Sequence, residues 1–213
     1  MPTIVEMKLK RSRPERFLLL WDDGTETLLA PETVLKYQLA VGSELKEVDL
    51  LQMLAEDEVI RAKDQALRYL EIRPHSEREL FRKLRRKRYN LPAIEAALDA
   101  LRQVDLINDT RFARQFVESE MRLRPVGRGL LKQKLRERGI PDTIIEPILE
   151  ETFRHHSEQE IAQRLTEKWL KRQSLLNTRK RKAALVRFLQ SKGFNWEVIQ
   201  EILETLPEAP PDQ

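Results

Sequence analysis

The 213-residue sequence contains no cysteine. Disulfides, thiolate metal sites, cysteine nucleophiles and iron–sulfur clusters are therefore excluded, and a reducing cytoplasm is the natural setting. Glycine is scarce, at 6 residues, and aromatic residues make up only 6% of the chain. Little of either argues against a β-sandwich or a deep substrate pocket. No apolar run approaches the ~18 residues of a membrane span. The opening residues, Met1 to Glu6, lack the basic-then-apolar pattern of a secretory signal. A soluble, cytoplasmic protein is expected. Also missing are a P-loop, a dinucleotide-binding glycine fingerprint and an HExxH helix. No base-reading module is visible either, neither zinc-finger spacing, an aromatic RNP motif nor a GXXG loop.

What the chain has in quantity is charge, at 35% of residues, well above the ~25% of an average globular protein. There are 39 Lys and Arg against 35 Asp and Glu, a net of +4. The distribution is uneven. Residues 1–60 carry 7 basic and 12 acidic side chains, a net of −5, which leaves +9 on residues 61–213. A basic part of this kind points to a polyanionic partner.

The first 30 residues read as strands. Arg16 to Trp21 is apolar and partly aromatic, Asp22-Asp23-Gly24 follows, and Thr25 to Leu29 resumes. Asp-Gly between two such runs signals a hairpin, because Gly24 can take the positive φ of a tight turn. Ile4 to Lys10 alternates apolar and polar and forms a candidate third strand. Residues 31–54 turn helical, with Pro31 suited to a first helical position and Gly42 to a helix end.

From about residue 56 the pattern is helical, and it repeats. Leu80 and Leu84 share a helix face; Leu131 and Leu135 follow 51 residues later, and Leu185 and Leu189 a further 54 residues on. Gly139 and Gly193 each stand four residues after the second leucine and precede another apolar-periodic helix. In the first copy Tyr89-Asn90-Leu91-Pro92 replaces the glycine turn. A further helix precedes each pair, with Phe112-Ala113 and Ile161-Ala162 spaced by 49. Ser76…Glu79 and Ser157…Glu160 have capping-box spacing. The fold class expected is mainly α: tandem three-helix-bundle repeats in an elongated, curved array, preceded by a small β-hairpin-containing region. The divisions are 1–54, 55–107, 108–153 and 154–206, with a disordered tail over 207–213. Pro147 conflicts locally, since it should kink its helix or shift the start.

The candidate functional residues are basic. Arg82, Lys83, Arg85, Arg86, Lys87 and Arg88 put six cations in seven positions. Arg122, Arg124, Arg128, Lys132, Lys134, Arg136 and Arg138 form a second set, with Glu137 the only acid among residues 121–138. Arg179, Lys180, Arg181 and Lys182 form a third. A single charge run is ordinarily a solvated helix face. Three at equivalent repeat positions can instead align into one stripe that suits a phosphate backbone or an acidic, nucleic-acid-filled groove. Each phosphate contact adds roughly 0.7 to 0.9 to the log–log salt dependence.

Other features read as structural. Trp21 is expected under the hairpin, and Trp169 and Trp196 in core or inter-repeat contacts. His75, His155 and His156 lack a nucleophile or ligand partner at a telling spacing and read as solvated residues near helix starts, with the His155-His156 pair opening a helix. Asp109 is expected to cap the helix that carries Phe112. Gly127 and Gly129 could cradle an anion, but more often such a pair forms a loop entering a helix. No catalytic residue, metal or cofactor is implied.

With the repeats laid out, the sequence resembles the RecX family of bacterial regulators of the RecA recombinase. The resemblance rests on Ala66 to Leu70, then Arg73-Pro74-His75-Ser76-Glu77-Arg78-Glu79-Leu80 with Lys83-Leu84. It rests also on Leu106-Ile107-Asn108-Asp109-Thr110-Arg111-Phe112-Ala113, and on Gly127 through Leu135 with Gly139-Ile140. It is close over about residues 55–150 and more general elsewhere. The family usually has Gly where this chain has Asp105, and an acid where it has Asn108. The resemblance implies a non-enzymatic modulator, built of three-helix repeats, that lies in the groove of the RecA–DNA filament. It would reduce ATP hydrolysis, strand exchange and co-protease activity, and so modulate DNA repair, homologous recombination and the SOS response. The implied partners are the recombinase filament and single- or double-stranded DNA without sequence preference; no membrane is implied, and a monomer is expected. The rival reading is a nonspecific DNA- or RNA-binding helical repeat protein unconnected with recombinase.

Overall fold

The computed structural model describes residues 1–11, 13–172 and 178–206, with the side chains of 178–180 left out of the description. The tail expected to be disordered, 207–213, lies outside the described residues. Two compact units divide the chain, Met1–Asn108 and Asp109–Gln213.

The first unit opens with strands β1 (Ile4–Lys10), β2 (Arg16–Trp21) and β3 (Glu26–Leu29), an antiparallel sheet in the order β1-β2-β3. Both expected hairpin strands and the third strand are present. Gly24 takes φ +82° in the β2–β3 turn, and Asp23 Oδ1 accepts from the Thr25 amide and hydroxyl at 2.8 and 2.7 Å. Leu19 and Trp21, two apart on β2, fall on one face and are buried with Ile4 and Leu29. The Trp21 indole donates to Thr27 Oγ1 at 2.9 Å, which satisfies its only polar atom.

Helix α1 (Pro31–Lys36) has Pro at its start as expected. Helix α2 (Glu47–Ile72) then runs for 26 residues, straight across position 54. The stretch holds neither Gly nor Pro, so nothing in it stops a helix. Its first half carries Met53 into the core under the sheet, while Ala66 in its second half packs against Leu80, Leu84, Ile94 and Leu98.

The join between sheet and helix centres on Asp57, which is fully buried. Its carboxylate accepts from the Ala30 amide (2.7 Å) and the Thr33 hydroxyl (2.8 Å), and pairs with Arg61 Nε at 2.8 Å. Ala30 is the N-cap of α1 and has no side-chain cap of its own, so a carboxylate from α2 serves that helix end. Asp57→Ala is expected to cost about 3 kcal/mol, because it strands two donors and an arginine. Urea unfolding followed by far-UV circular dichroism measures it.

Helices α3 (Glu77–Arg86) and α4 (Leu91–Gln103) complete the first three-helix repeat with the second half of α2. The capping box at Ser76 and Glu79 forms in full. Arg88 occupies the left-handed region at φ +66°, the position filled by Gly139 and Gly193, both at φ +83°, in the later repeats. The first repeat thus ends its second helix with the same backbone turn but without a glycine. Asp105 is also left-handed, at φ +55°, which accounts for a turn at which glycine is the easier residue.

The second unit contains α5 (Asp109–Leu123), α6 (Arg128–Glu137) and α7 (Asp142–His155), then α8 (Glu158–Arg172), α9 (Thr178–Ser191) and α10 (Trp196–Glu204). Leu131, Leu135, Leu185 and Leu189 are fully buried, as are Leu80 and Leu84, so the leucine lattice read from sequence is the core lattice. Met121 and Phe153 pack against the cores of both repeats in this unit.

Several expectations need correction. Of the two outcomes expected at Pro147, a kink or a shifted start, the shifted start does not occur: α7 begins at Asp142 and continues through the proline. Its ring replaces one amide donor in the second turn. His155 closes α7 and His156 is its C-cap, so the pair ends a helix rather than opening one. Asp109 is the first helical residue of α5, not the residue before it. Trp196 is 54% exposed, because it begins α10 and points away from the face carrying Val198 and Ile202. Trp169 meets the expectation, stacking on Phe188 at 5.9 Å.

His75 is not solvated but 4% exposed. The ring tilts against Tyr69 at 6.0 Å. Its Nδ1 lies 2.8 Å from the Arg73 carbonyl, which makes that nitrogen the donor, and Nε2 is buried without a hydrogen-bond partner among the described residues. Burial holds its pKa below the usual histidine value, against the upward pull of the Arg73 carbonyl. The unfolded chain therefore binds a proton more readily than the folded one as pH falls below ~6.5. Stability is expected to decline from pH 7 towards pH 5 through this group, by at most about 1.4 kcal/mol per pH unit. Comparing the pH dependence of unfolding in the parent and His75→Gln isolates the contribution.

Candidate functional site

The first basic cluster sits on α3 and the turn after it. The capping box places Glu77 and Glu79 at the helix start and leaves Lys83, Arg85 and Arg86 in the last turn, where cations complement the helix dipole. Leu80 and Leu84 fix which face is buried. Lys83 lies against the Tyr69 ring, 4.4 Å from its centroid, and is half-buried. Arg85, Arg86, Lys87 and Arg88 are exposed. None of the four has an ion-pair or hydrogen-bonding side-chain partner among the described residues. Arg82 is exposed but engaged. Glu77 and Glu79, the acids on the same helix, face Arg102 at 2.8 Å and Arg73 at 3.1 Å instead.

The second cluster is arranged differently. Arg128 pairs with Glu146 at 2.9 Å, Lys132 with Glu146 as well, Lys134 with Glu120 at 2.5 Å, and Arg136 with Asp142. Arg138 lies over the Phe116 ring, 4.2 Å from the centroid, and donates to the Lys134 carbonyl. Hydrogen bonds from Arg136 hold the Asp142 carboxyl below its usual range, and those from Lys132 and Arg128 do the same for Glu146. The α6 cations thus meet carboxylates on α5 and α7. Arg122 and Arg124, at the end of α5, are exposed and carry no such pair among the described residues.

Of the third cluster, the side chains of Arg179 and Lys180 lie outside the described residues. Lys182 is exposed, and Arg181 is half-buried with its Nε lacking a hydrogen-bond partner among the described residues.

Gly127 and Gly129 do not hold a free anion cradle. The Gly127 amide donates to the Lys192 carbonyl at 2.9 Å and the Gly129 amide to the Gly193 carbonyl at 3.0 Å. Between them the Arg128 amide donates to Glu158 Oε1 at 2.8 Å. The start of α6 is therefore occupied by the third repeat. A Cβ on Gly127 would lie 2.6 Å from the Gly193 carbonyl oxygen, and one on Gly129 2.8 Å from it. Burial pushes the Glu158 carboxyl up, although the hydrogen bond from Arg128 opposes this.

Sequence reasoning also missed a cleft of about 590 Å3 between the second and third repeats, lined by Val117, Met121, Arg122, His155 and His156 among others. The Thr152 hydroxyl on its wall donates to the Ile148 carbonyl at 2.7 Å, so it is not poised as a nucleophile. Among the described residues no helix is long and apolar enough to cross a membrane.

These features define a tandem three-helix-repeat protein whose second helices carry the basic clusters. Three family profiles match it in order: RecX, first three-helix domain over residues 62–101, second over 108–149 and third over 157–203. The regulatory protein RecX of Clostridium tetani is 30% identical over 207 residues, covering 95% of this chain and 94% of that protein. The Bacillus subtilis regulatory protein RecX is 28% identical, over 97% of this chain and 78% of that one. A solved structure of a regulatory protein RecX superposes with a TM-score of 0.73 at 24% identity over 96% of this chain and all of that one. RecX from Lactobacillus salivarius gives 0.62 at 28% identity over 70% of this chain and 96% of its own. The chain belongs to the RecX family of regulatory proteins.

Proposed function

We propose that this protein is a non-enzymatic regulator of the RecA recombinase that binds in the groove of the RecA–DNA filament. It inhibits ATP hydrolysis, strand exchange and co-protease activity, and so modulates repair and recombination in the cytoplasm. It acts as a monomer, with its repeats bridging adjacent filament subunits. The carrying observation is the unneutralised run Arg85, Arg86, Lys87 and Arg88 on an exposed helix end. Membership of a family whose relatives are named regulatory proteins supports the reading. Bridging several subunits supplies avidity without any one strong contact.

The basic residues are not equal in this scheme. Arg85 to Arg88, with Arg122 and Arg124, can meet acidic protein surface or DNA phosphate directly. Arg128, Lys132, Lys134 and Arg136 would first have to leave a carboxylate, so they contribute less; Arg82 and Lys83 on α3, and the third cluster Arg179, Lys180, Arg181 and Lys182, are assigned a supporting part. Lys132→Gln is expected to lower stability by about 0.5 kcal/mol, the scale of a surface ion pair, and to leave inhibition of recombinase ATPase within about twofold, consistent with the near-neutral effect of most contact residues. Thermal unfolding and an ATPase titration check the two halves of that statement. A large loss of inhibition would return α6 to the contact surface.

The second reading is a nonspecific nucleic-acid-binding repeat protein, favoured only by the same exposed cations. Titration into a DNA-stimulated recombinase ATPase assay, beside binding to naked DNA, separates the two.

A further inference from the structure

Four arginines that belong to none of the basic clusters of the repeats converge in the first unit. A cleft of about 210 Å3 is lined by Arg13, Arg16, Arg61, Arg68, Asp64 and Tyr89. Arg13 lies between β1 and β2 and Arg16 on β2, while Arg61, Asp64 and Arg68 come from α2. Two of the four guanidinium groups are ion-paired with carboxylates, although only Arg16 makes a hydrogen bond to its partner and Arg61 Nε makes none among the described residues. Arg16 meets Asp64 at 2.7 Å and Arg61 meets Asp57 at 2.8 Å. The other two are not. Arg13 is exposed and has no partner among the described residues. Arg68 has its Nη2 buried, with no hydrogen-bond partner among the described residues.

A buried guanidinium nitrogen without an acceptor is costly to leave in place. Here its residue, Arg68, lines a cleft whose four arginines outnumber their two carboxylate partners, Asp64 in the lining and Asp57 behind Arg61, by two. The size of the cleft restricts what can fill it, since clefts that take drug-sized ligands begin at roughly 300 Å3. A single small anion fits and a whole nucleotide does not. Two guanidinium forks approaching from different elements suit a tetrahedral oxyanion, which accepts from more directions than a planar carboxylate and is well matched to arginine.

We propose that this cleft is a binding site for one phosphoryl group, held by Arg13 and Arg68. Arg16 and Arg61, fixed by their carboxylates, add positive potential without leaving their pairs. Such a group is presented either by inorganic phosphate or by one phosphodiester of a nucleic-acid strand. Its four arginines come from the β1–β2 connection, β2 and α2 and are not among the α3 cations of the contact proposed above, although Tyr89, next to Arg88, completes the lining.

The test uses the full chain. Isothermal titration is run with inorganic phosphate, with a short single-stranded DNA oligonucleotide, and with acetate as the carboxylate control. Phosphate is expected to bind, acetate to bind far more weakly, and Arg13→Gln and Arg68→Gln each to weaken phosphate binding about tenfold, as expected for loss of a charge-assisted pair. Arg13 is exposed and unpartnered, so its variant keeps the fold even if the Arg68 variant does not. If phosphate displaces the oligonucleotide and Arg13→Gln weakens it too, the source is nucleic acid; if phosphate binds and the oligonucleotide does not compete, the source is a free phosphate. Absence of binding by both phosphate and the oligonucleotide, equal binding of acetate, or affinities unchanged in Arg13→Gln overturns the proposal.

Discussion

Reversing Arg85, Arg86 and Lys87 to glutamate is expected to weaken inhibition of recombinase ATPase on the order of 100-fold, read as a shift in the half-inhibitory concentration. Exposed charge contacts contribute up to about 1 kcal/mol each. Losing three, with repulsion in their place, amounts to about 3 kcal/mol, or roughly two decades. The fold should tolerate the change. All three residues are exposed, and the helix is held from its other face by Leu80 and Leu84 and at its start by the capping box. Glutamates in the last turn oppose the helix dipole at a cost of about 0.3 to 1 kcal/mol each, which far-UV circular dichroism would report as partial fraying. The same triple change to glutamine separates lost attraction from added repulsion, and should give the smaller shift. Unchanged inhibition in the glutamate variant would remove α3 from the contact.

Gly193→Ala carries the second large effect, on the fold rather than the partner. At φ +83° the added methyl is strained, by roughly 1 to 2 kcal/mol. It would also sit 2.1 Å from the Leu130 amide nitrogen, and backbone cannot swing aside as a side-chain tip can. The α9–α10 turn must then withdraw from α6, and the hydrogen bonds from Gly127 to Lys192 and from Gly129 to Gly193 go with it. A total cost of about 4 kcal/mol is expected, the scale reached only by strain and clash in a packed site. Amide hydrogen exchange should show lost protection over α8 to α10. Gly24→Ala is the control, since Gly24 shares the positive φ, at +82°, but has nothing within 4 Å. If Gly193→Ala is no more destabilising than Gly24→Ala, close approach at this junction is not what docks the third repeat.

The repeat architecture was legible because its signals are local. Leucine pairs, turn glycines and a capping box act within a few residues, and all six repeat leucines are fully buried. The hairpin was legible for the same reason at Asp23-Gly24. The fate of the α6 cations was not. Lys132 and Lys134 find Glu146 and Glu120, each 14 residues away on a neighbouring helix, beyond the reach of any i,i+4 rule. Seen along the chain, Arg82 to Arg88 and Arg122 to Arg138 look alike; only the flanking acids of α5 and α7 distinguish them. Long α2 hid a further feature. Asp57 and Asp64 look like ordinary charges on a solvated helix until the sheet is placed over them. His75 was misread in the same way, because a cap-adjacent position says nothing of the Tyr69 ring that covers it.

On the function proposed above, the exposed cations address a recombinase filament rather than nucleic acid in general. The most direct measurement is a titration of this protein into a DNA-stimulated recombinase ATPase assay, with its affinity for the same naked DNA measured at the same two salt concentrations. Half-inhibition at a concentration well below the naked-DNA dissociation constant, at both salts, is the predicted result. Inhibition that appears only where naked DNA is already bound, and that fades with salt in step with it, would contradict the account.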